Sequence, residues 1–168
     1  MTYPELIATP GPTPPAPATS ALPAHDAAAA AGAERLVRAY YDAFNRHDAE
    51  AFLALLTPDV AHGVSQGGFE RGLDAFRAFV AHMDRCYLER IEDLVVMTEP
   101  TGTRAAAEFV VHGRYIATDP GVPAGTVPAR NQPYVLPAGA FFTLEGGRVA
   151  RITNHYNLGD WVRQVNEA

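Results

Sequence analysis

The chain has 168 residues, a formal net charge of −6 and basic residues that are dispersed rather than striped, a balance that excludes a nucleic-acid surface, whose phosphates demand clustered Lys and Arg. Its single cysteine, Cys86, cannot form an internal disulfide, which fits a reducing compartment, and no run of eighteen apolar residues suggests a membrane span. A soluble, cytoplasmic chain with one domain at residues 33–168 is expected.

Residues 1–32 are rich in Pro, Ala and Thr and carry no Lys or Arg, since the first basic residue is Arg35. They read as a disordered arm lacking the basic start of a secretory signal and the arginines of a transit peptide. The first helix follows. Leu36, Tyr40 and Phe44 lie four apart with Val37 and Tyr41 beside them, which gives one apolar, aromatic face and puts Arg35, Arg38 and Asp42 on the other. Asn45-Arg46-His47 ends that helix, and Asp48 caps a second one whose stripe is Phe52, Leu55 and Leu56, stopped by Thr57-Pro58.

A short alternating strand, Val60 to Gly68, then leads into a third helix over Gly72 to Leu88, with Phe76, Phe79, Val80 and Met83 at helical spacing. Four strand-like runs come next, at 90–98, 104–117, 134–144 and 149–157. Thr101-Gly102 and Glu145-Gly146-Gly147 supply hairpin turns for the first and last pairs, so the sheet should be mostly antiparallel. The Pro- and Gly-rich segment between the second and third runs, including 119–132, is a candidate lid, and 158–165 closes the chain as a short helix. The order predicts an α+β fold in which three N-terminal helices cover one face of a strongly curved, mostly antiparallel sheet and leave a pocket between.

The segments "YYDAFNRHDAEAFLALLTPDVAH", "GGFERGLDAFRAFVAHM" and "GRVARITNHYNLGDW" resemble the nuclear transport factor 2-like superfamily, and within it the ketosteroid isomerase-related and SnoaL-like polyketide cyclase-like proteins. The resemblance implies a cone-shaped fold with a cavity, over roughly residues 34–165. Ketosteroid isomerases use an aspartate base together with a tyrosine and a protonated aspartic acid that hold the oxyanion. Counted from the helix corner, Tyr40 matches the oxyanion tyrosine, whereas Val64 replaces the base, Gly139 the protonated acid and Val80 a supporting tyrosine. The resemblance therefore implies the cavity without the isomerase's own base.

Strand alternation puts His62 on the same face as Val64 and Gln66, which makes His62 the substitute base, an imidazole being suited to proton transfer near neutrality; it reads equally as a structural histidine beside a glycine turn. On the last strand Ile152, Asn154 and Tyr156 share the face that the resemblance assigns to the cavity. Tyr40 and His62 are thus the catalytic candidates, and Gln66, Val64, Val80, Asn154, Tyr156 and Phe141 the substrate-binding ones. On the second strand Glu108 and His112 share one face, as an acid/base pair or as part of a dimer interface. Asp84, Arg85 and Tyr87 can reach the cavity mouth or form a solvated helix end, while His47 and His82 read as surface residues.

No metal or other cofactor is expected, because the sequence shows no zinc-type His/Cys/Glu spacing, glycine-rich phosphate loop or nucleophile elbow. Two readings stay open. One is a cofactor-independent isomerase- or cyclase-type enzyme that moves a proton on a small apolar carbonyl compound, steroid- or polyketide-like. The other is a non-catalytic module that binds a small apolar ligand or serves as a dimer. A homodimer through the sheet is expected in either case.

Overall fold

A computed structural model of the protein describes residues 26–64 and 67–168. Residues 1–25 of the predicted arm, and the candidate Gln66, lie outside the described residues. Helix α1 (Ala27–Asn45) begins earlier than composition suggests, because Asp26 caps it by accepting from the N–H groups of Ala28 and Ala29 at 3.0 Å. Residues 27–32, set aside with the arm, are its first turns. Alanine carries the highest helix propensity, so once capped this run needs no periodic face to join the helix.

Val37, Tyr40 and Tyr41 on α1 are buried while Arg35, Arg38 and Asp42 are exposed, as their spacing requires. Asp48 caps α2 (Ala49–Ala54) through the Ala51 N–H at 3.0 Å. The second helix is shorter than its sequence suggests: Leu56 is not on its stripe but is a fully buried residue at the head of strand β1 (Leu56–Val64). Strand β2 (Phe69–Arg71), α3 (Leu73–Cys86), β3 (Tyr87–Thr98), β4 (Arg104–Tyr115), β5 (Gln132–Glu145), β6 (Arg148–Tyr156) and α4 (Leu158–Glu167) complete the chain.

The strands form one six-stranded sheet in the order β2-β1-β6-β5-β4-β3. Every neighbouring pair is antiparallel except β1 and β6, which run parallel and are separated in sequence by β2, α3 and the long strands β3 to β5. The β5–β6 turn uses Gly146 and Gly147 at φ 55° and 74°, the left-handed pair that a tight hairpin needs. The helices pack against the sheet, which is not closed into a barrel, in the arrangement of the nuclear transport factor 2-like cone.

Register fixes which side chains share the inner face. Tyr87, Glu89 and Ile91 of β3 lie opposite Tyr115, Gly113 and Val111 of β4, and these lie opposite Gln132, Tyr134 and Leu136 of β5. Further along, Phe109, Ala138 and Tyr156 form a row, then Ala107, Ala140, Asn154 and Val64, then Ala105, Phe142, Ile152 and His62. Glu108, His112 and Arg114 face outward and are exposed. Among the described residues, no helix is long and apolar enough to cross a membrane.

Candidate functional site

Between helices and sheet lies a cavity of about 390 Å³. Its wall follows the inner face of β4 from Phe109, whose ring is 4.9 Å from that of Tyr41, toward Gly113 four residues away, a span of about 13 Å at strand rise. The two ends differ chemically. Tyr40, Tyr41, Phe44, Phe52 and Phe109 make one end aromatic, whereas carboxyls and phenols collect at the other.

At the polar end, the Tyr134 hydroxyl donates to Glu89 Oε1 at 2.6 Å. The side chain can make that reach because its ring lies flat over Gly113 on the intervening strand: a Cβ there would sit 2.2 Å from Tyr134 Cζ. Burial raises the Glu89 carboxyl above its ordinary value, against the opposing effect of the Tyr134 bond. Burial, the Glu89 charge and the bond to it together push the Tyr134 phenol far up. Trp161 of α4 closes this end, its ring 5.2 Å from that of Tyr115 and 6.1 Å from that of Tyr134.

Beside this pair, Asp119 Oδ2 accepts from the Tyr87 hydroxyl at 2.7 Å and lies 2.9 Å from His82 Nε2. Asp119 Oδ1 accepts from the Gly121 N–H at 2.7 Å. Burial pushes this carboxyl up, but the Gly121 N–H, the Tyr87 hydroxyl and His82 outweigh it, so its pKa is lowered and it stays ionised. The Tyr156 phenol is raised by burial and then by the charges of Glu89 and Asp119, which places it in the field of both.

The segment carrying Asp119 is the candidate lid. Asp119, Gly121, Val122 and Pro123 line the cavity, and the segment is tied to α4 rather than hanging free. Val127 N donates to Asn166 Oδ1, Asn166 Nδ2 to the Gly125 carbonyl, and Gln132 Nε2 to the Val165 carbonyl.

Of the residues singled out from sequence, Tyr40, Val64, Val80, Asn154 and Tyr156 line the cavity. Phe141 does not. It is 60 % exposed on the outer face, with its ring 5.5 Å from that of His155, and its neighbour Phe142 is the one that points inward, 5.6 Å from Tyr40. Strand parity decides this: Phe142 pairs with Ile152, so Phe141 must face away.

His62 is 2 % exposed, does not line the cavity, and packs between Phe76 and Phe79 at 5.0 and 4.3 Å. Burial pushes its imidazole down to about 4, so it is neutral at pH 7, and Asn154 Nδ2 lies 3.2 Å from its Nε2. These contacts place His62 in the core, behind the cavity wall. Phe52 and Phe76 link Tyr40 to His62 in a chain of rings, and among the described residues no hydrogen bond or ring contact joins the two directly. Tyr40 is 4 % exposed, and burial raises its phenol so that it stays protonated at the aromatic end, away from the carboxyls.

Sequence reading missed Glu89, Asp119, Tyr134 and His82. Glu89, Tyr87 and Ile91 alternate with exposed Leu88 and Arg90, a period-2 signal that marks Glu89 as a carboxyl on an inward face. His82 looks like a helix-surface residue until the 119–123 segment folds over it.

The SnoaL-like domain model matches residues 37–152. No curated protein matches the chain in sequence. Among solved structures, a candidate polyketide cyclase from Pseudomonas putida KT2440 is 56 % identical with a TM-score of 0.75, the match covering 79 % of this chain and 97 % of that one. Another, from Xanthomonas campestris pv. campestris, is 48 % identical with a TM-score of 0.77, covering 82 % and 98 %. A nuclear transport factor 2-like protein from Burkholderia xenovorans LB400, 16 % identical with a TM-score of 0.63 over 82 % of this chain and 98 % of its own, shares the fold. The chain belongs to the SnoaL-like domain family and has the nuclear transport factor 2-like fold.

Proposed function

We propose that the protein is an enzyme that moves a proton on a small, mostly apolar carbonyl compound of polyketide type, with Glu89 as the proton-transfer group. The observation that carries this reading is a carboxyl raised by burial, held by one oxygen to a phenol, at the polar end of an aromatic-walled cavity. A perturbed carboxyl in a cleft is where acid/base chemistry at neutral pH is found.

The substrate's apolar body rests on Phe109 and Tyr41, and its carbonyl end reaches Glu89 and Tyr134. The carboxylate takes a proton from the carbon beside the carbonyl. Once Glu89 has taken that proton it is no longer a charged acceptor for the Tyr134 hydroxyl, and this phenol, which stays protonated, turns its O–H to the oxygen on which charge develops. The enolate carbon then attacks a second carbonyl of the same chain, whose oxygen takes the proton back from the Glu89 carboxylic acid, or is itself reprotonated at a new position by that acid. Protons and electrons balance within the substrate and one carboxyl. Asn154 and Tyr40 orient the ligand, and the identity to the two candidate polyketide cyclases supports the polyketide class.

Deuterium incorporation into small β-diketones, followed by NMR, tests this. Wild-type protein should accelerate exchange, Glu89→Gln should lose about 10²–10⁴-fold, and Tyr40→Phe should keep most of the rate. Undiminished exchange in Glu89→Gln overturns the role.

A second copy of the chain is proposed to cover the outer face of the sheet, where Met97, Ala106, Phe141 and Thr153 form one row and Leu88, Val95, Met97, Val135 and Phe141 are exposed. A mass of one chain in solution at micromolar concentration overturns it.

A further inference from the structure

We propose that His82, Cys86 and Asp119 form a binding site for a divalent cation of zinc type, with its open position facing the cavity. His82 and Cys86 are four residues apart on α3, so their side chains share one helix face. Asp119 reaches them from the segment beyond β4. One ligand atom of each, imidazole nitrogen, thiol sulfur and carboxylate oxygen, lies within 4.8 Å of the other two. A tetrahedral zinc with bonds of about 2.0–2.3 Å spaces its ligands by roughly 3.5 Å, so binding asks the widest pair to close by about 1 Å while His82 Nε2 and Asp119 Oδ2, now 2.9 Å apart, open slightly.

The site is built before any ion arrives. Cys86 is 1 % and Asp119 8 % exposed. The Cys86 carbonyl itself accepts from the N–H groups of Ile116 and Ala117 at 2.9 and 3.3 Å, and the Asp119 N–H donates to the Tyr115 hydroxyl at 2.9 Å. These bonds hold the segment that delivers Asp119 against the end of α3. The carboxylate is oriented by the Gly121 N–H on one oxygen and by the Tyr87 hydroxyl on the other, the kind of outer support that metal-ligating carboxylates carry.

The 2.9 Å contact between His82 Nε2 and Asp119 Oδ2 marks where the ion sits, because a cation on Nε2 replaces the proton these atoms share. The remaining ring nitrogen, Nδ1, now faces Arg85 Nη2 at 2.9 Å; with the ion in place Nδ1 carries the proton, and Arg85, an exposed side chain, turns outward. One nitrogen, one sulfur and one oxygen ligand suit zinc and cobalt better than magnesium or calcium, which take oxygen. Three protein ligands leave a fourth position, and because His82, Asp119 and Tyr87 all line the cavity, it opens onto the space where a carbonyl oxygen or a water can bind.

The experiment is titration of the full-length, tag-free chain with Co²⁺, read by absorbance. The expected result is one cobalt per chain, with the visible bands of a tetrahedral centre and a near-ultraviolet thiolate-to-cobalt band, both bleached by Zn²⁺. Cys86→Ser should abolish the thiolate band, and His82→Gln and Asp119→Asn should each weaken binding at least tenfold. Binding without a thiolate band, or unaffected by all three substitutions, identifies adventitious surface histidines and overturns the site, as does no binding. Should Cys86→Ser not fold, X-ray absorption at the zinc edge of the wild-type protein decides alone: one sulfur at about 2.3 Å supports the site and none refutes it. The cobalt readout does not involve Glu89, so its failure and that of the exchange assay are separate results.

Discussion

Replacing Gly113 by alanine tests the geometry that holds the polar end together. The added Cβ would lie 2.2 Å from Tyr134 Cζ, 2.3 Å from Cε2 and 2.5 Å from the hydroxyl oxygen, against an ordinary contact of about 3.5 Å. The ring must therefore retreat by about 1.3 Å, which carries its hydroxyl out of reach of Glu89, now 2.6 Å away. Tyr134 is 2 % exposed and has Trp161 beside it, so the retreat displaces packed neighbours. Overpacking of this kind costs about 1–3 kcal/mol, and the loss of a hydrogen bond to a carboxyl about as much again. A total of about 2–6 kcal/mol corresponds to a fall in Tm of roughly 6–18 °C for a chain of this size. Thermal unfolding followed by circular dichroism, within a double-mutant cycle, is the assay. Tyr134→Ala removes the ring, so adding Gly113→Ala on that background should cost almost nothing, and the coupling energy should approach the whole cost of the single change. If Gly113→Ala leaves Tm unchanged, or if the two substitutions add independently, Tyr134 does not depend on that glycine and the account of the Glu89 site fails.

His62 makes stability depend on pH in a defined direction. Its folded pKa of about 4 lies below the ordinary 6.5, so the unfolded chain binds this proton first: the contribution is complete above pH 6.5 and lost as pH falls toward 4, a change on the order of 3 kcal/mol. Urea unfolding from pH 7.5 to 4 should show that decline in wild type and a flatter profile in His62→Gln, and equal slopes would mean that His62 is already charged in the folded state. On the outer face, Phe141→Ser should leave the folding stability of the single chain within about 0.5 kcal/mol of wild type, since the side chain is 60 % exposed, while raising the monomer fraction in analytical ultracentrifugation.

The elements most legible in the sequence were those whose signal is local. Tyr40 and Tyr41 announce the buried face of α1 by spacing, Asp48 announces the start of α2 by its capping oxygen, and Gly146-Gly147 announces a hairpin by its conformational freedom. Leu56 was misread because a leucine directly after a helical stripe looks like its continuation, whereas Pro58 two residues on favours extended backbone before it and lets the strand begin early. Phe141 and Phe142 show a limit of another kind. Adjacent phenylalanines on a strand must face opposite ways, and nothing within β5 says which one faces in; only the pairing of Phe142 with Ile152 does.

The polar end was illegible for a stronger reason: the side chains that bond to one another there, Glu89 with Tyr134 and Asp119 with His82 and Tyr87, come from distant parts of the sequence. Glu89 meets Tyr134 only because three strands bring them into one row, and His82 meets Asp119 only because the segment after β4 crosses the end of α3. Tyr40 is the one position that matches the family pattern, and His62 is the titratable residue nearest in sequence to the position of the missing base. His62 is near in sequence pattern, yet the Phe142 row holds it at the aromatic end, where burial lowers its basicity. Burial there strips a base of its proton affinity, whereas the same loss of water around Glu89 raises it, because desolvation always disfavours the charged form. Burial thus makes the His62 imidazole, behind the cavity wall, a poor base and the Glu89 carboxyl, on that wall, a candidate base, because the ionised form is a cation in one and an anion in the other.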